Sequence, residues 1–238
     1  MKIFPNNIIC AFLLISTPFY TACGGQNLFS ALTTENTKQK AEDAINTGDY
    51  NTSINLLEPY VTANPGDQQA IGMLTTSYLL LAGVNILNIM ISVLNTSESA
   101  KNNFQAILSA MPSGNQTNVS LLTKAVNTIT LIPTSQMNSD QSYLYAVASA
   151  SLAILTIKQN CLNSSGTIST SSTNAMSTTD ANTVYTNLSN AQTAFTSAGI
   201  SSSSNTGSGI LANLINQINS STGASNSAKV INFIISQE

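Results

Sequence analysis

A helical rhythm limits what this chain can fold into: apolar residues recur at steps of three and four until a glycine, a proline or a Ser/Thr tract breaks them off. Ala41, Ala44 and Ile45 begin the pattern, and Gly48 stops it. After Asp49 it resumes with Ile54, Leu57 and Val61, flanked by Leu56 and Tyr60, and Asn64-Pro65-Gly66 closes it. Two helices of roughly a dozen residues with a tight turn between them make an antiparallel hairpin. The same reading predicts helices over 68–81, 84–95, 98–110, 119–131, 139–160, 180–198, 210–218 and 228–235. Ser97 is the candidate N-cap of the helix over 98–110, and Ser139-Asp140 opens the longest one; a side-chain oxygen in that place takes up an orphan helix N–H. The fold class is therefore all-α, either antiparallel hairpins stacked as an array or an irregular α-bundle.

Charge is scarce. Only 7% of residues are Asp, Glu, Lys or Arg, against about 25% in an ordinary domain, and Ser, Thr and Asn supply the polarity instead. Residues 73–94 carry no charge and are dense in Leu, Ile and Val. A membrane span there would hold Thr75, Thr76, Ser77, Asn85 and Asn88 at bilayer depth, where polar groups are costly, so two buried helices on either side of Gly83 fit the run better. Between Asp180 and Lys229 there is again no charge, and the helices there are expected to dock on those before them. Residues 162–179 are nearly all Ser, Thr, Asn and Gly. They read as a mobile loop, too poor in large apolar groups to pack, and a second Ser-rich loop runs up to Gly209.

Residues 1–22 have the anatomy of a secretory leader: Lys2, an apolar run over 8–15, Pro18, then small residues ahead of Cys23. That run is shorter than the roughly 20 apolar residues a spanning helix needs. Thr21-Ala22-Cys23 resembles the lipobox of bacterial lipoproteins. The resemblance implies cleavage before Cys23, acylation of its sulfur with palmitate among the chains, and anchoring in the cell envelope. Gly24, where an Asp would favour inner-membrane retention, implies the outer membrane in a source that has one. Gly24-Gly25-Gln26-Asn27 reads as a flexible tether. Without the leader, six Lys face ten carboxylates, a formal charge of −4, which makes nucleic acid a poor partner.

The turn Gly48-Asp49-Tyr50, followed by Ile54 and Leu57, closed by Pro65 and preceded by the small Ala41, resembles a tetratricopeptide (TPR) repeat, a helical hairpin of roughly 34 residues. A second unit would begin at Gln68, with Leu74 and Tyr78 at signature positions and Ala82-Gly83 at its turn; Pro133 stands two periods beyond Pro65. The resemblance implies that Ala41, Gly48, Tyr50, Leu57, Pro65, Leu74 and Tyr78 are structural signature residues. Stacked hairpins of this kind offer a concave face to a peptide or protein segment. The chain then divides into the leader 1–22, a lipidated tether 23–34, a TPR-like helical domain 35–160, a Ser/Thr-rich loop 161–179, and C-terminal helices 180–238 that pack on the array.

The chain has no His, Arg or Trp. Imidazole catalysis, His-ligated metals, bidentate phosphate clamps and a Ser-His-Asp triad are removed together. Glu42, Asp43 and Asp49 form the densest acidic cluster, but neighbouring helix positions point apart, so a solvated face is expected. Neither a Ser-x-x-Lys motif nor a phosphate-binding glycine loop occurs. The Asn-x-Ser and Asn-x-Thr triplets follow from composition. Tyr143 and Tyr145 read as core aromatics, and Cys161 as a small apolar residue at a helix end. No catalysis, cofactor or metal is expected. The expected function is a lipid-anchored binding or assembly scaffold for an envelope protein or peptide. The alternative is a carrier that encloses a hydrophobic ligand between the helices of 73–94 and 143–155, or an accessory subunit of an envelope transport system.

Overall fold

A computed structural model describes residues 36–85, 100–163, 166, 168–169, 176–200 and 207–238. The described residues are all-α, without a strand: α1 (Thr37–Asn46), α2 (Tyr50–Ala63), α3 (Gln68–Leu81), α4 (Ala100–Ala110), α5 (Gln116–Ile129), a 3-10 turn (Thr134–Gln136), α6 (Ser139–Cys161), α7 (Thr178–Ser197), α8 (Gly207–Ser220) and α9 (Asn226–Ile235). The leader, Cys23 and the tether lie outside the described residues, as do the predicted cap Ser97 and all but the first two residues of the helix expected over 84–95.

Local chemistry starts these helices. Asn36, Asp49, Asp67, Asn115, Asn138, Ser177 and Ser225 each accept the backbone N–H three residues on, a contribution of about 1 kcal/mol per cap. At α6 the cap is Asn138, one residue ahead of the predicted Ser139, because the Gln141 amide oxygen also accepts the Asn138 N–H and completes a capping box. α5 begins at Gln116, earlier than the apolar pattern at Val119 suggests; the Asn115 cap satisfies the first turn although Gln116, Thr117 and Asn118 bring no apolar periodicity. Gly48 and Gly83 follow α1 and α3 with φ of +81°, a left-handed conformation that glycine adopts at no steric cost.

Packing runs nearly in chain order. α1 lies on α2 and α2 on α3; α3 then packs on α5, α5 on α6, α6 on α7, and α7 on both α8 and α9. Alternate members of that succession also meet, α1 with α3 and α3 with α6. One hydrophobic cluster extends from Ala41 to Ile234, so the C-terminal helices share the core of the N-terminal ones. α3 and α6 are its centre: no residue is exposed from 70 to 82 or from 141 to 161. The lack of charge along α3 thus goes with its burial. No helix among the described residues is long and apolar enough to cross a membrane.

Small residues permit the close approaches. Ser53 of α2 and Ser77 of α3 are fully buried and hydrogen-bond each other at 2.8 Å. Gly114, ahead of α5, lies so near α6 that a Cβ there would stand 2.6 Å from the Gln159 nitrogen and 2.8 Å from the Lys158 carbonyl carbon. Gly114→Ala is therefore expected to destabilise the fold by about 1–3 kcal/mol through overpacking against backbone. Chemical denaturation checks this, and an unchanged midpoint would show that α5 and α6 can separate without cost.

Of the stretch 161–179 read as a loop, residues 161–163, 166, 168–169 and 176–179 are described. Leu162 forms an isolated antiparallel bridge with Ile168, the Ser169 N–H donates to the Cys161 carbonyl at 3.1 Å, and Ile168 and Met176 are buried. Cys161 itself is fully buried at the end of α6.

Candidate functional site

The residues that carry the repeat resemblance fall along α1, α2, α3 and their turns. Ala41, Leu57, Leu74 and Tyr78 are buried, Tyr50 is half-buried at the first position of α2, and Gly48 and Pro65 are exposed in turns. Their arrangement positions helices; no two of them form a reactive pair. Of the acidic cluster, Glu42 and Asp43 are exposed on α1, while Asp49 is occupied as the α2 cap, accepting from the Thr52 N–H at 3.1 Å and the Thr52 hydroxyl at 2.7 Å. Tyr145 is buried and Tyr143 half-buried, its ring edge-to-face with Phe195 of α7. Among the described residues no group of three His, Cys, Asp or Glu is placed to hold a metal ion.

One polar constellation joins α2, α3 and α5. The Tyr78 hydroxyl donates to Glu58 Oε1, Lys124 Nζ donates to the same oxygen at 3.0 Å, and the ammonium stands 5.4 Å from the Tyr78 ring centroid. Burial first, then the Glu58 carboxylate, pushes the Tyr78 phenol far above its ordinary pKa, so it remains a donor. The bonds from Tyr78 and then Lys124 lower the pKa of Glu58. A second pair does the same at the other end of α3, where Lys38 Nζ reaches Asp67 Oδ2 at 2.9 Å and the Tyr60 hydroxyl donates to that oxygen at 3.1 Å. A donating phenol, a carboxylate and its lysine partner make a clasp across three helices.

Because the folded pKa of Glu58 is depressed, its contribution is present above the unfolded pKa and lost as pH falls through the lower folded value. Its side chain is 42% exposed, which keeps the effect small. Glu58→Gln should reduce the acid-induced fall in melting temperature by about 1–3 °C between roughly pH 6 and 3. Equal acid sensitivity of the two proteins would mean that the clasp carries no weight.

A different face of α3 is partly accessible. Gly72, Met73, Thr76 and Leu80 are half-buried, and among the described residues nothing lies within 4 Å of where a Cβ of Gly72 would be. Residues 72, 76 and 80 stand four apart and so share one stripe. Across the N-terminal ends, the Gln141 amide of α6 donates to the Gln68 amide oxygen at 3.1 Å and ties the two central helices together. The sequence pattern signalled that α3 is apolar; which of its faces stays accessible depends on where α1, α5 and α6 lie.

At the far side of α6, Lys158 is half-buried, and burial pulls its pKa below the ordinary Lys value. Its ammonium donates to the carbonyls of Leu108 at 2.8 Å and Met111 at 2.6 Å, at the end of α4. Sequence reasoning missed this contact, which spans 47 to 50 residues and leaves no local signature. Compared with protein-family models, curated proteins and solved structures, the chain matches none of them.

Proposed function

We propose that the protein is an acylated envelope lipoprotein whose helical-repeat body binds or assembles with another protein or a peptide segment, without catalysis of its own. The observation that carries this reading is the order of the helices: α1, α2, α3, α5, α6 and α7 stack in succession, and α3 also meets both α1 and α6. Stacked hairpins use such alternate contacts to build a continuous face. Along it the Gly72, Thr76 and Leu80 stripe of α3 gives a partner backbone a place to approach closely. Thr21-Ala22-Cys23 and the polar tether after it support placement at a membrane surface by acyl chains, on the outer membrane if the source has one.

A photo-crosslinking residue placed at Thr76 in cells should capture one protein in near-stoichiometric yield, identified by mass spectrometry after detergent extraction. The same residue at Thr193, exposed on α7, should capture far less of it. Equal labelling from both positions, or no protein adduct from Thr76, would overturn the reading. A reproducible lipid or solute adduct in place of protein would favour a carrier.

A further inference from the structure

α4 stands out of the stacking order. Succession passes from α3 to α5 without it, and among the described residues its main contacts are with α6 and α8, elements later in the chain. Phe104 of α4 meets Phe233 of α9 edge-to-face, with ring centroids 5.3 Å apart and planes at 70°. The buried anchors on this segment are Phe104, Leu108 and Met111, separated by four and three residues and so lined up on one side of the helix. A helix end leaves carbonyls without intrahelical partners, and here Lys158 takes those of Leu108 and Met111. A cation at that end also complements the helix dipole.

The floor beneath α4 thus offers apolar seats for one helical face and a cation for its C-terminal end. The packing of α3 on α5, α5 on α6 and α6 on α7 does not pass through α4, so its departure would break none of those contacts. A helix of 11 residues is too short to persist alone in water, so α4 holds its helical form only while it is seated on this floor. Gly114, jammed against α6, and Pro112, beside the Gly83 turn, fix the hinge at its C-terminal side.

We propose that α4 is the resident occupant of a helix-binding groove formed by α6, α8 and α9, and that an amphipathic helix of a partner protein displaces it. The partner helix carries large apolar residues at i, i+4 and i+7 and presents its last carbonyls to Lys158, the helix-in-groove mode of recognition. α4 is then autoinhibitory: tethered, it competes at an effective concentration of roughly millimolar. This names the kind of partner and rests on the binding reading only for there being one.

The test uses the full-length chain in detergent and a capped, fluorescein-labelled peptide with the sequence of residues 99–112. Phe104→Ala with Leu108→Ala, which loosens the resident helix, should bind the peptide at least about tenfold more tightly than the unmodified protein. Adding Lys158→Met should remove about threefold or more of that gain. Equal peptide binding with and without the loosening substitutions overturns the proposal. Should the double variant lose its fold, hydrogen exchange on the unmodified protein decides: α4 amides are expected to exchange at least about 100-fold faster than those of α6, and equal protection overturns it. Crosslinking from Thr76 tests the other face, so failure here leaves that result standing.

Discussion

Cys23→Ser should abolish incorporation of labelled palmitate and move the protein from the membrane fraction to the soluble one. The substitution removes the sulfur that the lipobox resemblance assigns for acylation while leaving the helical body unchanged. Each buried methylene contributes about 0.8 kcal/mol, and one chain alone gives only marginal binding, so under the proposed acylation two or three chains would account for nearly all of the retention. No helix among the described residues offers a second anchor of spanning length. Metabolic labelling and fractionation measure both quantities. Continued retention of the unlabelled variant would mean that an apolar surface, not the lipid, holds the protein.

Phe233→Ala should destabilise the fold by about 3–5 kcal/mol, the usual cost of emptying a core aromatic site. Phe233 is among the largest fully buried side chains, on α9, and it carries the ring contact to Phe104. A loss of that size lowers the melting temperature by roughly 10 °C in a domain of this length. Leu131→Ala serves as the reference, because Leu131 is 50% exposed and its loss should lie within about 0.5 kcal/mol of zero. Thermal melts followed by circular dichroism compare them. If Phe233→Ala behaves like Leu131→Ala, the C-terminal helices do not share the cooperative core that joins them to α7.

Helix identity was legible because it is written locally. Ala41 and Ala44, or Val184, Leu188, Ala191 and Phe195, sit at helical spacing and are buried, and each helix start has a side chain able to cap it. Misplaced ends, at Gln116 and Asn138, came from polar residues that add no periodicity yet satisfy backbone N–H groups. The candidate site was far less legible. Glu58, Tyr78 and Lys124 lie on three helices, with 66 residues between Glu58 and Lys124, and a surface carboxylate and a surface lysine look alike in sequence wherever they end up.

By itself the sequence determined that this chain is a series of capped, low-charge amphipathic helices, since 3.6-residue periodicity and cap chemistry act over a single turn. For helices with a polar face, such as α7, it also determined which side is buried, because apolar burial follows the stripe. Tertiary structure alone decided against what. α3 chose α5 over its neighbour α4, Lys158 reached back to close α4, and Ile168 and Met176 found burial although few apolar residues surround them in the sequence. Hydrophobic burial is non-directional, so a stripe specifies how much surface must leave water and leaves the choice of partner to the shapes and small residues, such as Ser53, Ser77 and Gly114, that let particular backbones come close.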